Sequence, residues 1–119
     1  MTGFIFVGLG GAAGAMLRYG ISLIPFKHTF PFPTLVINLI GALLIGYITG
    51  LAVKRVLSQN TVLFLKTGLC GGFTTFSTFS LEAYELIKAG NYGQSVLYVI
   101  LSVVGCVIGV ACGMAISKI

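Results

Sequence analysis

The sequence predicts an all-α integral membrane protein that forms one transmembrane domain over its 119 residues. Hydrophobic residues make up 57% of the chain and charged residues only 8%, and the mean hydropathy of +1.09 exceeds that of soluble domains. A spanning helix needs about 20 apolar residues, and the chain offers room for four. We expect helices over residues 3–23, 34–53, 61–87 and 94–117.

The first predicted helix ends at a connecting loop that contains three prolines. Gly10 and Gly14 form a G-x-x-x-G pair, which allows a neighbouring helix to approach closely. Arg18 lies near the end of this helix, where a long cationic side chain can reach the interface or a water-filled vestibule. The only histidine, His28, follows in the loop, and we assign it no role.

The second helix is predicted to begin at Thr34, because Pro33 before it suits a first helical turn. Asn38 is the only deeply placed amide in this helix. An amide without a partner is costly in hydrocarbon, so Asn38 should face protein or water. Two interpretations stay open for it: a hydrogen bond between helices, or a contact in a polar pathway.

The third segment contains the stretch from Gly71 to Phe79, in which a glycine pair is followed by four hydroxyl residues and three phenylalanines. Its uncharged part, residues 67–81, is short for a span and too polar to face lipid. Irregular backbone at membrane depth is tolerated only inside protein or beside water. We therefore predict a central helix, broken over Gly71 to Thr74, whose freed carbonyl groups need partners.

The fourth helix carries two lines of residues that each repeat every four positions. The glycines are Gly105, Gly109 and Gly113, and they predict a face for close helix packing. Tyr98, Ser102 and Cys106 lie along a second line of the same helix. Such a polar line either carries an ion or bonds one helix to another.

The basic residues lie at the ends of the segments, so the net charge of +5 indicates lipid headgroups as neighbours, not nucleic acid. One side of the membrane would carry three of them and the other side four. The first set is Arg18, Lys27 and Lys88, and the second is Lys54, Arg55, Lys66 and Lys118. This difference is too small to bias orientation, so we expect the chain to insert both ways.

Two oppositely inserted copies would pack about a two-fold axis in the membrane plane. The broken third helices would cross at the centre of this antiparallel, dual-topology dimer. Carbonyl oxygens from both breaks would then form a cage that suits a hard cation such as sodium.

Three motifs resemble the signatures of the Fluc (CrcB) family of fluoride channels, in order and over the whole chain. They are Gly68-x-x-Gly71-Gly72-Phe73-Thr74-Thr75-Phe76-Ser77-Thr78-Phe79-Ser80-x-Glu82, Gly11-x-x-Gly14-Ala15-x-x-Arg18-Tyr19 and Thr34-Leu35-x-x-Asn38-x-x-Gly41. The resemblance implies a passive channel that exports fluoride across the plasma membrane. It also implies a dual-topology dimer with two pores and a structural Na⁺ ion.

The resemblance also assigns roles to individual residues. The implied ion path is lined by Asn38, Phe76 and Phe79, with Thr34, Tyr98 and Ser102 in a polar track. The carbonyls of Gly71 and Thr74 are implied to hold Na⁺, and Arg18 is implied to stand near the vestibule. Two positions depart from the family pattern, since Pro33 replaces an expected glycine and Cys106 an expected serine.

Fluoride is small and strongly hydrated, so a selective path must replace its water with hydrogen-bond donors. Asn38 provides N–H donors, and hydroxyl donors are available on Thr34, Ser77, Thr78 and Ser102. The edges of aromatic rings are weakly positive, so Phe76 and Phe79 can contact an anion edge-on. The alternative is that these two rings only pack.

Two other functions remain as alternatives. A small four-helix multidrug or cation exporter needs an embedded glutamate in its first helix, and this chain has no acid before Glu82. A non-conducting partner subunit would use the glycine faces alone. With its two acids, Glu82 and Glu85, confined to the third helix, the chain shows no proton relay, and we expect hydrogen bonds or ion pairs for them. We expect a channel, not an enzyme, formed by two identical chains or by this chain and a paired homologue.

Overall fold

The computed structural model describes all residues from Met1 to Ile119, and all of its regular elements are helices. The elements are α1 (Thr2–Ser22), α2 (Phe32–Val53), α3 (Gln59–Val62), a π-helical segment (Leu63–Cys70), α4 (Gly71–Phe73), α5 (Phe76–Lys88) and α6 (Tyr92–Ser117). The predicted all-α class is thereby confirmed. Three helices, α1, α2 and α6, are long and apolar enough to cross a membrane.

The remaining segment is divided into two halves, residues 59–73 and residues 76–88. The chain leaves helical geometry at Thr74 (φ −86°, ψ 156°) and Thr75 (φ −150°, ψ 121°). Gly71 is helical, with φ −63° and ψ −39°. The break expected over Gly71 to Thr74 is therefore present, but only its last residue takes part: the glycine pair stays helical, and Thr74 and Thr75 make the break, which side-chain hydrogen bonds stabilise.

The glycines instead allow α1 to lie directly against the first half of the divided segment. A Cβ atom on Gly10 would come within 2.2 Å of the Phe64 carbonyl oxygen. A Cβ atom on Gly72 would come within 2.4 Å of the carbonyl oxygen of Gly11. Both neighbours are backbone atoms, so the close approach that the G-x-x-x-G pair predicts is confirmed.

A second close contact joins α2 to α6. A Cβ atom on Gly46 would lie 2.2 Å from the Val110 carbonyl oxygen, and one on Gly113 would lie 2.1 Å from that of Leu43. These distances are far below van der Waals contact, so neither position can carry a side chain in this arrangement. The glycine face predicted on the fourth helix therefore packs against α2.

Tyr98 on α6 is fully buried and lies at the centre of the main hydrophobic cluster. Its ring centroid lies 5.0 Å from that of Phe79 on α5 and 5.6 Å from that of Phe30 in the α1–α2 loop. Ser95 on α6 donates a hydrogen bond to the Ala83 carbonyl at 2.9 Å. These contacts hold α5 and the α1–α2 loop against α6.

Candidate ion pathway

The Asn38 side chain holds the break in the third segment through two hydrogen bonds to one residue. Its Nδ2 donates to the Thr75 carbonyl oxygen at 3.0 Å, and its Oδ1 accepts from the Thr75 N–H at 2.9 Å. Of the two interpretations of Asn38, a hydrogen bond between helices is therefore present. One N–H of the Asn38 amide has no protein partner and remains available to a ligand.

These bonds change which carbonyl groups at the break have partners. In a continuous helix, the Thr75 N–H would bond to the Gly71 carbonyl and the Thr78 N–H to the Thr74 carbonyl. The Thr75 N–H is instead bound by Asn38, and the Thr78 N–H donates to Thr75 Oγ1 at 3.1 Å. The carbonyls of Gly71 and Thr74 thus both lose their helical donors.

Thr75 is a residue that the sequence reasoning did not assign to the site. It is the N-cap of α5, and its hydroxyl accepts the N–H of Thr78. Its capping role could have been predicted from the sequence, because helix N-caps prefer Ser, Thr, Asp and Asn. Its backbone contact with Asn38 could not have been predicted from local sequence pattern, because the two residues lie 37 positions apart.

A cavity of about 410 Å³, here named the inner cavity, lies beside the break and is open at the surface of the single chain. Its polar and aromatic wall comprises Asn38, Thr74, Thr75, Phe76, Phe79 and Ser102. Aliphatic side chains and two thiols complete the lining, and no carboxylate is present. The structure therefore brings together four residues of the implied pathway: Asn38, Phe76, Phe79 and Ser102.

Phe76 and Phe79 extend from one face of α5 at very different depths. Phe79 is buried and contacts Tyr98, whereas the side chain of Phe76 is 78% exposed on the single chain. Their ring centroids are 5.5 Å apart and the planes are tilted by 50°. Packing within the chain buries the Phe79 ring, whereas most of the Phe76 ring has no neighbouring residue over it.

Ser102 presents a buried hydroxyl to the inner cavity. The residue is 6% exposed, and its Oγ has no hydrogen-bond partner. A buried polar atom without a partner costs free energy unless water or a ligand satisfies it. Ser102 is therefore a site at which a bound polar species would compensate an unmet hydrogen bond.

An outer cavity of about 600 Å³ opens between the α1–α2 loop and α5. Thr34 and Thr78 line it together with Glu82 and Glu85. Glu82 accepts a hydrogen bond from the Tyr98 hydroxyl at 3.0 Å, which confirms the hydrogen bond expected for this acid. Tyr98 thus contacts Phe79 of the inner cavity and Glu82 of the outer cavity.

Four residues assigned to the site line neither cavity: Tyr98, Gly71, Ser77 and Arg18. Ser77 is exposed, with its hydroxyl 3.5 Å from that of Thr75. Arg18 is half-buried, and its Nε donates to the Gly72 carbonyl at 3.2 Å. The structure therefore connects Arg18 to the helix break.

The fold and this site define a multi-pass membrane protein with a polar helix break beside a cavity that contains hydrogen-bond donors. A family model described as "CrcB-like protein, Camphor Resistance (CrcB)" matches residues 5–114. The chain belongs to this family, as the three sequence motifs predict. Its apolar helices and family membership identify it as a multi-pass protein of the cell membrane.

Similar proteins match over 84% to 99% of the chain. One from Methylobacterium sp. (strain 4-46) is 47% identical over 99% of this chain and 98% of its own length. One from Azobacteroides pseudotrichonymphae genomovar. CFP2 is 45% identical over 84% of each chain, and one from Chloroflexus aurantiacus (strain ATCC 29366 / DSM 635 / J-10-fl) is 42% identical over 99% of this chain and 97% of its own. Each of these three relatives is named "Fluoride-specific ion channel FluC".

Proposed function

We propose that this chain forms a fluoride-selective channel that conducts passively and exports fluoride from the cytoplasm. The observation that carries the proposal is the inner cavity, which combines hydrogen-bond donors without protein partners and two phenylalanine rings with no carboxylate. The names of the relatives support the choice of anion. A cation exporter is not favoured, because it needs an acidic group where this cavity has none.

Three sets of donors are available to a dehydrated anion. The Ser102 hydroxyl is unpaired, and Asn38 retains one free N–H. The third set is the N-terminus of α5, because the first N–H groups of a helix have no partner within it and carry partial positive charge. Since α5 begins at Phe76 and the Thr78 N–H is bonded to Thr75, the free N–H groups are those of Phe76 and Ser77, and Phe76 lines the inner cavity.

We propose that the working unit is a dual-topology dimer with two pores. On the single chain, Phe76, Ser77 and Ser80 are exposed around the middle of the third segment, together with the backbone of Gly71. Polar side chains and freed carbonyls are costly in contact with lipid. A second, oppositely inserted copy would cover this face, and a paired homologous chain would serve equally.

We also propose that a structural Na⁺ ion binds where two breaks meet. The carbonyls of Gly71 and Thr74 fit this ion, since both lose their helical donors and Na⁺ takes oxygen ligands. The chain has no cluster of three or more His, Cys, Asp or Glu side chains for a metal. When bound, the ion would neutralise the negative ends of the half-helices.

Anion efflux from vesicles containing the purified chain tests the proposed function. We expect rapid fluoride efflux and no chloride efflux when a potassium ionophore balances the charge. Phe76→Ile and Phe79→Ile should each slow fluoride efflux by about 10-fold or more, since ring-edge contacts are lost. The control Phe4→Ile changes an 81% exposed ring on α1 and should leave efflux unchanged. Equal fluoride and chloride rates would contradict the proposal.

Ser102→Ala should reduce fluoride efflux by about 10-fold without lowering stability, because a hydroxyl bonded to a charged species contributes about 1.5–3 kcal/mol. The stability should hold because Ser102 Oγ has no protein partner to lose. The matched control is Ser95→Ala, which removes the bond to Ala83 on the same pair of helices. It should lower the melting temperature but leave efflux unchanged. The opposite pattern would place the anion away from Ser102.

A further inference from the structure

Arg18 places its guanidinium at the end of the first half of the divided segment. The half-helix ends at Phe73, and Arg18 Nε donates to the carbonyl of the preceding residue, Gly72, at 3.2 Å. Arg18 lines neither cavity. No carboxylate is among its hydrogen-bond partners. Its one polar contact with the protein is therefore a backbone carbonyl at the break.

The close packing of α1 brings Arg18 to this position. Gly14 precedes Arg18 by one helical turn and lies on the same face of α1. A Cβ atom on Gly14 would come within 2.2 Å of the Leu69 carbonyl oxygen and 2.7 Å of the Phe73 nitrogen. Because the two backbones touch one turn earlier, the Arg18 side chain lies over the last carbonyls of residues 59–73.

The chemistry of a helix end explains why an arginine is stable at this position. The last carbonyls of a helix lack N–H partners and carry partial negative charge, which a cationic side chain offsets. Gly72 lies between Gly71 and Thr74. The N–H groups that would bond to the carbonyls of these two residues in a helix bond to side chains instead. Arg18 therefore occupies the Gly72 carbonyl and leaves the carbonyls of Gly71 and Thr74 open.

We infer that Arg18 is a positioning residue for the cation site at the break. By binding the Gly72 carbonyl, it fixes the end of residues 59–73 and leaves the carbonyls of Gly71 and Thr74 for Na⁺. This inference rests on the proposed function. It requires a hydrogen bond from Arg18, whereas a role in attracting anions to a vestibule requires only its charge.

Two substitutions separate the hydrogen bond from the charge. Arg18→Gln places an amide nitrogen at the same number of bonds from the backbone as arginine Nε, without the charge. Arg18→Lys keeps the charge but has a methylene at that position, with its ammonium one bond further out. Lys27→Gln removes a positive charge from the α1–α2 loop and serves as the control for simple electrostatic attraction.

The test compares the melting temperature of the purified full-length protein over a range of Na⁺ concentrations, with N-methyl-D-glucamine keeping the ionic strength constant. A ligand that binds only the folded protein raises this temperature according to its affinity. The Na⁺ concentration for half-maximal stabilisation should rise about 10-fold in Arg18→Lys, as expected for a lost hydrogen bond to a charged donor. It should rise by less than about 3-fold in Arg18→Gln, which keeps a weaker bond.

The inference is overturned if Arg18→Lys needs no more Na⁺ than the unsubstituted chain, or if Arg18→Gln loses at least as much affinity as Arg18→Lys. If Arg18→Lys does not fold, Arg18→Gln decides alone, and a rise of about 3-fold or more in the Na⁺ concentration it needs overturns the inference. The inference is also overturned if neither Arg18 variant folds while Lys27→Gln does. Fluoride efflux from vesicles is measured in parallel. Efflux by the unsubstituted chain without any stabilisation by Na⁺ would overturn the inference while leaving the fluoride channel intact.

Discussion

Asn38→Asp is expected to reduce fluoride efflux by about 100-fold, because losing a buried polar contact costs about 1–3 kcal/mol and each 1.4 kcal/mol is tenfold. An aspartate can still accept from the Thr75 N–H, but it cannot donate to the Thr75 carbonyl as Asn38 Nδ2 does at 3.0 Å. It would also place an acidic group on the wall of the inner cavity, where it disfavours an anion.

The matched control for this substitution is Asn60→Asp in α3, which changes the same group at an exposed position. Thr75→Ser is a second control, since it keeps both backbone contacts with Asn38 and the hydroxyl that caps α5. Both controls should conduct at nearly the original rate. Efflux from vesicles measures the rate, and size-exclusion chromatography verifies assembly. An Asn38→Asp protein that conducts within about 3-fold of the original would contradict the role we assign to this amide.

Gly14→Ala is expected to destabilise the protein by about 1–3 kcal/mol or to prevent folding, because overpacking forces backbone shifts of this cost. The added Cβ would meet the Leu69 carbonyl oxygen at 2.2 Å and the Phe73 nitrogen at 2.7 Å. Neither neighbour is a flexible side chain, so α1 must move away from residues 63–73. This movement would also pull Arg18 away from the Gly72 carbonyl.

Gly8→Ala on the same helix is the matched control, because nothing lies within 4 Å of its Cβ position. Alanine favours a helix over glycine by about 1 kcal/mol, so this variant should be at least as stable as the original. Thermal unfolding in detergent, followed by helical circular dichroism, measures the difference. Equal melting temperatures for the two variants would show that α1 does not pack in this way.

Much of the architecture follows from residue types and their spacing. The low charge and apolar run lengths are sufficient to predict a membrane protein built only from helices. The four-residue glycine spacing predicts two close helix contacts, since a missing side chain has the same consequence in any partner helix. Hydroxyl residues and phenylalanines in one stretch, from Thr74 to Phe79, indicate a segment that avoids lipid.

The exact position of the break, expected over Gly71 to Thr74, could be predicted only in part. Gly71 and Gly72 are the weakest helix formers in the stretch, yet both are helical, and the chain opens at Thr74 and Thr75. The hydrogen bonds that favour this choice come from Asn38 on another helix. Local propensity is a weak guide wherever a distant side chain replaces the helical partner.

The same limit applies to the site itself. The sequence places the hydroxyls and the amide of the site on three helices, but it does not say which of them use up their hydrogen bonds within the protein. Packing leaves Ser102 without a partner, engages Asn38 with Thr75 and turns Arg18 to Gly72. Residue type decides which bonds a side chain can make, whereas only the tertiary arrangement decides which of its donors stay free for an ion.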